Sequence, residues 1–171
     1  MKNIGLSSGK TKLISLLCVV FFVGVDQLIK YLIDLYLKPI GSVLVIPGVL
    51  QLNYHENDGA MMGMMSGKTT LMTVFAVLCL VIVCVMLYSG KLGYGFDFWC
   101  VIFLTAGGVG NLIDRIFRGY VIDYIEALFV DFYIFNFADC LVTCAAIALI
   151  ISQIYQLKRD SKKNKEEAVN G

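Results

Sequence analysis

Residues 69–90 read TTLMTVFAVLCLVIVCVMLYSG and carry no charged side chain. A helix that crosses the hydrocarbon of a bilayer needs about twenty predominantly apolar residues. Further apolar runs stand before and after this one, and together they predict spans at about 13–37, 69–90, 97–115 and 138–157. The sequence therefore predicts an all-α membrane protein with four transmembrane helices.

The composition of the whole chain favours the same class. The chain has 171 residues, of which 58% are hydrophobic and 16% charged, and its mean hydropathy is +0.79. These values lie outside the range of ordinary soluble domains, and the length suits a single integral membrane domain over residues 1–171. A net charge of +1 provides no overall basic field, so nucleic acid is not expected as a partner.

The basic residues predict an orientation in the membrane. Lys2, Lys10 and Lys12 precede the first span, Lys91 joins the second to the third, and the polar segment 158–171 carries several more. By the positive-inside rule, both termini and the Lys91 link are cytoplasmic. The last segment is then a cytoplasmic tail, for which its polar composition predicts no fixed structure.

Two segments should consequently lie at the outer face. Residues 42–46 and 49–53 are rich in Val, Ile and Leu and flank Pro47-Gly48, which predicts a small external β-hairpin or cradle. Residues 122–132 mix apolar and acidic side chains at near-helical spacing, which predicts a short interfacial helix.

Two carboxylates stand out because the chain offers them no neighbouring cation. No Lys or Arg occurs between Arg118 and Lys158, yet Asp123 and Asp139 lie there among apolar residues. Carboxylates that come close together cannot both ionise, so such a pair shares a proton, as in an aspartic hydrolase. Two simpler alternatives remain open: Asp139 lies three residues after a possible N-cap at Asn136, and Asp123 could be solvated on a loop.

Asp26 and Lys30 are four residues apart, and so they face the same side of the first helix. We interpret them as a structural ion pair at the end of the helix, with side chains that snorkel towards the interface. Asp114, by contrast, has Arg115 and Arg118 beside it in the sequence.

Metal and thiol chemistry find little support in the sequence. His55 is the only histidine, stands outside any H-E-x-x-H pattern and is expected in a loop. The six cysteines all fall in predicted spans and form no C-x-x-C pair, so they are expected to behave as small apolar residues. Neither a metal nor another cofactor is predicted.

Several sequence blocks resemble, in order and spacing, the signature blocks of the bacterial lipoprotein signal peptidase family, signal peptidase II. The blocks are DQLIK at 26–30, NDGA at 57–60, GGVGNLIDR at 107–115, GYVIDY at 119–124 and FNFAD at 135–139. A glycine cluster alone would be a weak signal, because small residues at this spacing are common where membrane helices pack. The match, however, extends from the first predicted span to the last.

The resemblance implies an aspartic endopeptidase that removes signal peptides from diacylglyceryl-modified prolipoproteins at the outer face of the bacterial cytoplasmic membrane. Its partners would be these prolipoproteins and membrane lipid, and we expect a monomer. Asp123 and Asp139 match the catalytic aspartates of the family. The positions that match its substrate-binding and supporting residues are Asn57, Gly59, Asn111, Arg115, Asn136, Ala138, Asp26, Lys30 and Asp114. The family usually has an aromatic residue within two positions of Ala60, whereas this chain has Met61 and Met62.

Two other functions remain open at the level of the sequence. A small transporter or proton-coupled carrier would also use intramembrane carboxylates and helices interrupted by glycine. The polar residues gather at one predicted leaflet, however, and do not cross the midplane as a carrier would require. In a non-catalytic assembly or anchoring protein, the same carboxylates would only cap helices.

Overall fold

In the computed structural model, the described residues are 9–59, 69–88 and 95–170. They form four helices: α1 at Gly9–Leu32, α2 at Thr69–Tyr88, α3 at Phe96–Phe117 and α4 at Phe137–Asn170. Three helical segments are long and apolar enough to cross a membrane, namely Gly9–Leu37, Phe96–Phe117 and Phe137–Lys162. The corresponding stretch of α2, Thr73–Val85, is shorter. The structure thus supports a helical membrane protein, and the fourth span remains a prediction.

Helix α3 lies at the centre of the helices and packs on the other three through glycines. A Cβ atom at Gly107 would collide with the backbone oxygen of Ala138 on α4. One at Gly108 would lie 3.1 Å from Leu80 on α2, and one at Gly110 would lie 2.6 Å from Asp26 Oδ2 on α1. The GGVG block therefore allows close helix approach on three sides, as small residues do in membrane helix packing.

The expected hairpin is present and belongs to an antiparallel sheet of order β1-β2-β3. Its strands are β1 at Ser42–Ile46, β2 at Leu50–Asn57 and β3 at Val121–Ala127. Gly48 has a φ of 70° in the turn between β1 and β2, a conformation that glycine adopts without strain. Strand β2 is longer than predicted, so His55 lies in this strand and the expectation of a loop residue is wrong.

The prediction of an interfacial helix at 122–132 is wrong, because the chain forms strand β3 there. The edge of β2 pairs with β3 from Leu50 opposite Ala127 to Asn57 opposite Val121, with a shift of register between Leu52 and His55. Residues at the start of β3 are buried on both faces of the sheet. A strand buried on both faces shows no simple alternation, so its sequence is easily mistaken for a helix.

Both ends of the helical region differ in detail from the prediction. Helix α1 continues into a single π-helical turn at Ile33–Leu37, which completes the expected first span. Helix α4 extends to Asn170, so the prediction of an unstructured tail is wrong. The tail has four Lys and two Glu residues and no proline, and Lys and Glu favour continuation of a helix. Lys2, Met61, Met62 and Lys91 lie outside the described residues.

Candidate active site

Asp123 and Asp139 are joined through one residue, Asn136. The Asn136 side-chain amide donates to Asp123 Oδ1 at 2.6 Å, and the Asn136 backbone N–H donates to Asp139 Oδ2 at 3.1 Å. Asp123 comes from β3, and Asp139 from the first turn of α4. Asn136 thereby holds together two carboxyl groups that belong to different secondary-structure elements.

Two further asparagines donate to the remaining carboxylate oxygens. Asn57 Nδ2 lies 2.8 Å from Asp123 Oδ2, and Asn111 Nδ2 lies 2.7 Å from Asp139 Oδ1. Each of the four oxygens of the pair therefore accepts a hydrogen bond from an amide. Hydrogen bonds to fixed donors hold both carboxyl groups in one orientation, which acid–base chemistry requires.

Burial decides the ionisation of Asp123, which is 2% exposed. Burial first, and then the negative charge of Asp139, raise the pKa of Asp123 from 3.8 to about 6, against the hydrogen bonds from Asn57 and Asn136. A carboxyl group with this pKa exchanges its proton near neutral pH. The alternative in which Asp123 is a solvated loop residue is wrong, since the residue is buried in a strand.

The helix-capping contact that was the alternative for Asp139 is present in the structure. Asn136 Oδ1 accepts from the Asp139 backbone N–H at 3.0 Å, while Asp139 Oδ2 accepts from the Asn136 backbone N–H. This is the reciprocal arrangement of a capping box. Helix capping does not prevent Asp139 from belonging to the carboxyl pair, because capping uses Oδ2 and leaves Oδ1 to accept from Asn111.

The ion pair of Asp26 and Lys30 is present, but it does not snorkel. Both side chains are fully buried, with Lys30 Nζ at 3.0 Å from Asp26 Oδ2 and 2.8 Å from Asp114 Oδ2. Lys30 Nζ also donates to Asn111 Oδ1 at 2.9 Å. A buried ammonium is tolerated when all three of its protons have partners. This buried ion cluster of Asp26, Lys30 and Asp114 therefore lies directly behind Asn111.

The ion cluster also reaches the start of α4. Asp26 Oδ1 accepts from the Ala138 backbone N–H at 3.1 Å. Ala138 itself is fully buried, and it directly precedes Asp139. The sequence-predicted supporting residues thus lie together and contact the backbone that carries one carboxylate.

Gly59 and Arg115 complete the set of predicted residues. The Gly59 backbone N–H donates to Asn57 Oδ1 at 3.1 Å, which orients the Asn57 amide towards Asp123. Arg115 is half-buried and interacts electrostatically with both Asp139 and Asp123. The expectation that the pair has no cation is therefore correct along the chain and wrong in space, because α3 supplies Arg115.

Two residues of the site were not singled out from the sequence. Gln27 Nε2 lies 3.1 Å from the Gly110 carbonyl oxygen and 3.2 Å from Asp114 Oδ1, so it links α1 to α3. The Tyr124 hydroxyl accepts from the Phe137 backbone N–H at 3.2 Å, at the first residue of α4. Each directly follows a predicted residue in one of the quoted blocks, and this position in the motif is the feature of the sequence that could have identified it.

Within residues 9–59, 69–88 and 95–170, no group of three or more His, Cys, Asp or Glu side chains is placed to hold a metal ion. The pair can instead carry out acid–base chemistry directly. One carboxyl group can hold a proton while the other accepts one from water, with Arg115 nearby to balance negative charge.

Known proteins with similar sequences and structures are consistent with this site. The profile of the family described as Signal peptidase (SPase) II matches residues 18–155. Lipoprotein signal peptidases of Staphylococcus aureus strains JH9 and Newman are 36% identical over 160 residues, covering 91% of this chain and 94% of theirs. A bacterial membrane enzyme solved by the in meso method at 2.3 Å resolution superposes with a TM-score of 0.79 at 33% identity, covering 93% of this chain and 96% of its own. A second such structure, at 1.9 Å resolution, has a TM-score of 0.74 at 35% identity and covers 90% and 97%.

Proposed function

The chain belongs to the signal peptidase II family and is a membrane aspartic peptidase that removes signal peptides from prolipoproteins, and we propose that Asp123 and Asp139 are its catalytic pair. The observation that carries the proposal is the bridge through Asn136, which binds one carboxyl group by its side chain and the other by its backbone. Two carboxyl groups held in this way can share one proton, as an aspartic peptidase requires.

In the proposed mechanism, the active form of the pair carries one proton, and we assign this proton to Asp123 because burial raises the pKa of its carboxyl group to about 6. Asp139 takes a proton from the attacking water, while Asp123 polarises the scissile carbonyl and later helps to protonate the leaving amine. The bond between the signal peptide and the mature protein is hydrolysed without a covalent intermediate.

The surrounding side chains would hold the substrate and stabilise its transition state. Arg115 provides positive charge beside the pair, where negative charge develops on the attacked carbonyl. Asn57, Asn111 and Asn136 fix the carboxyl groups, so little reorganisation is needed during the reaction. Preorganised charge and dipoles of this kind are among the largest contributions to catalysis.

We further propose that the peptidase has four spans, both termini in the cytoplasm and its site at the outer leaflet. The positive charges near the chain ends support this orientation. The diacylglyceryl chains of a prolipoprotein would lie along the apolar helix surfaces in the bilayer. All the described groups of the site come from one chain, and a monomer is therefore sufficient.

The test is to replace each carboxyl group by an amide. Asp123→Asn and Asp139→Asn should each lower signal-peptide release by at least a thousandfold, because an amide neither takes the proton of water nor supplies one. Release is measured with purified protein and a diacylglyceryl-modified prolipoprotein. The double variant should be little worse than either single variant, since residues that act as one unit are not additive.

Folding is the control in this experiment. A pKa raised from 3.8 to about 6 means that the charge of Asp123 destabilises the folded state at neutral pH, by about 3 kcal/mol. That penalty is absent below pH 3.8 and complete above about pH 6. Losing the charge therefore offsets the loss of one hydrogen bond to the carboxylate, which costs about 1.5–3 kcal/mol. Asp123→Asn should consequently melt near the unmodified protein, and substantial turnover by it would remove Asp123 from the mechanism.

A further inference from the structure

A polar cluster connects the C-terminal end of α1 to strand β2, close to the catalytic pair. The cluster consists of Asp34, Lys38, Tyr54, Glu56, Arg118 and Tyr120. We call it the Asp34 cluster. Asp34 belongs to the π-helical turn Ile33–Leu37, while Tyr54 and Glu56 belong to β2. Turns of this kind are rare and occur often at functional sites.

Asp34 is the centre of this cluster because both of its carboxylate oxygens are used. The Tyr54 hydroxyl lies 3.0 Å from Asp34 Oδ1, which also faces Lys38 Nζ at 3.5 Å. The other oxygen lies 3.6 Å from Arg118 Nη1. Asp34 thereby joins β2 to the ends of two helices, since Arg118 directly follows α3.

The remaining contacts of the Asp34 cluster further attach strand β2 to the end of α1. Lys38 Nζ donates to Glu56 Oε1 at 3.0 Å, and the Tyr54 hydroxyl lies 3.0 Å from the same oxygen. Tyr120 also interacts with Tyr54 and Glu56. Lys38 therefore lowers the pKa of Glu56, which keeps Glu56 ionised and bound.

The cluster borders the site on two sides. Glu56 directly precedes Asn57, whose amide donates to Asp123 Oδ2 at 2.8 Å. At its other end, Arg118 Nε lies 3.5 Å from Asp114 Oδ1 in the buried ion cluster. Strand β2 also pairs with β3, which carries Asp123, so a displacement of this sheet relative to the helices would move Asn57 and Asp123 together relative to Asp139 on α4.

We propose that Asp34 is a positioning residue of the peptidase, which holds the sheet of β2 and β3 against α1 and α3 so that Asp123 keeps its position relative to Asp139. The proposal rests on the catalytic role of Asp123 proposed above. Asp34 does not touch the reacting groups and acts through the sheet that carries Asp123.

Exposure separates this role from a merely structural one. The side chains of Asp34, Lys38 and Glu56 are 35%, 46% and 42% exposed. Ion pairs this exposed contribute little to the free energy of unfolding. Catalytic geometry is far more sensitive, because a misplacement of about 1 Å can cost about a hundredfold in rate. Loss of Asp34 should therefore affect turnover more than folding.

The pH profile gives a readout of the separation of the two carboxyl groups. The pair should show a bell-shaped profile, whose alkaline limb reports loss of the shared proton. Burial and the negative charge of Asp139 both raise the pKa of Asp123. A displacement of Asp123 weakens both effects, so the proton is lost at lower pH and the alkaline limb moves downward.

The experiment compares Asp34→Ala, Tyr54→Phe and Asn57→Ala in purified full-length protein acting on a diacylglyceryl-modified prolipoprotein. Asp34→Ala should lower kcat by about threefold to tenfold with little change in KM, and should move the alkaline limb downward. Tyr54→Phe, which removes only a hydroxyl, should give a smaller change of the same kind. Asn57→Ala removes a hydrogen bond that lowers the pKa of Asp123, so it should move the alkaline limb in the opposite direction.

The matched control is Glu126→Ala on the same sheet. Glu126 Oε2 accepts from Asn53 Nδ2 at 2.9 Å and from Gln51 Nε2 at 3.3 Å, and both donors belong to β2. This carboxylate thus binds within the sheet, and its loss should leave kcat and the pH profile unchanged.

Three results would overturn the positioning role. They are an undiminished kcat in Asp34→Ala, an alkaline limb that moves upward or not at all in that variant, or an equal loss in Glu126→Ala. If Asp34→Ala does not accumulate, Tyr54→Phe decides, and an unchanged kcat and alkaline limb would refute the proposal. Failure of the catalytic proposal is recognised separately, by turnover in Asp123→Asn.

Discussion

Lys30 is the residue whose burial has the largest expected energetic consequence. Its ammonium is fully buried between Asp26, Asp114 and Asn111. Lys30→Met keeps much of the volume but leaves two buried carboxylates without their cation. Breaking a buried ion pair on one side costs about 3–5 kcal/mol, and we expect a loss of stability of that size. Thermal or denaturant unfolding in detergent would measure it.

Lys38 provides the control for this prediction, because it also faces two carboxylates but is 46% exposed. Lys38→Met should leave the melting temperature almost unchanged, as expected for an exposed pair. Equal melting of Lys30→Met and the unmodified protein would show that the buried ion cluster contributes nothing to folding.

For the pair of Asp26 and Lys30, the sequence predicted the contact but not the burial. The spacing of Asp26 and Lys30 was enough to predict their contact, because it follows from the geometry of one helix. Their burial depends on Asn111 and Asp114, which lie more than eighty positions away in the chain. Local spacing carries no information on such a contact, and the pair was therefore placed wrongly at the interface.

Among the helices and strands, α3 is the element whose packing depends most on glycines, because they have no side chain. A Cβ atom at Gly110 would lie 2.6 Å from Asp26 Oδ2 and 3.4 Å from Ala138 Cβ. Gly110→Ala should therefore separate α3 from α1 and α4 and destabilise the protein by about 1–3 kcal/mol. It should also lower turnover, since Asp26 binds the backbone N–H that precedes Asp139. Unfolding and signal-peptide release are measured on the same preparation.

Gly24→Ala in α1 is the matched substitution, because nothing lies within 4 Å of its Cβ position. Alanine favours a helix over glycine, so this variant should be as stable as the unmodified protein or slightly more so. If both glycine variants behaved alike, close packing at Gly110 would not be the cause.

The elements themselves were predicted unevenly. The first, third and fourth predicted spans correspond to Gly9–Leu37, Phe96–Phe117 and Phe137–Lys162, because hydropathy over about twenty residues is a strong signal. Strand β3 was missed because its pairing with β2 and its burial on both faces are tertiary properties. The catalytic candidates were singled out by their lack of a neighbouring cation in the sequence and by motif resemblance, whereas the role of Asn136 as their bridge required the coordinates.

For the whole molecule, the length of α4 connects the site to the orientation in the membrane. The helix begins at Phe137 beside the carboxyl pair, and its first charged residue after Asp139 is Lys158. About twenty residues at 1.5 Å per residue span about 30 Å, the thickness of the hydrocarbon core. If the basic end is cytoplasmic, the carboxyl pair consequently lies at the outer leaflet.

Single cysteines introduced by His55→Cys and Lys162→Cys would test this orientation. The six native cysteines are free thiols, and they are first replaced by alanine or serine with activity checked. An impermeant thiol reagent should label position 55 in intact cells and position 162 only after the membrane is permeabilised. Both positions are exposed in the structure, so unequal labelling would reflect the side of the membrane and not burial. Labelling of position 162 in intact cells would reverse the orientation and place the carboxyl pair on the cytoplasmic side.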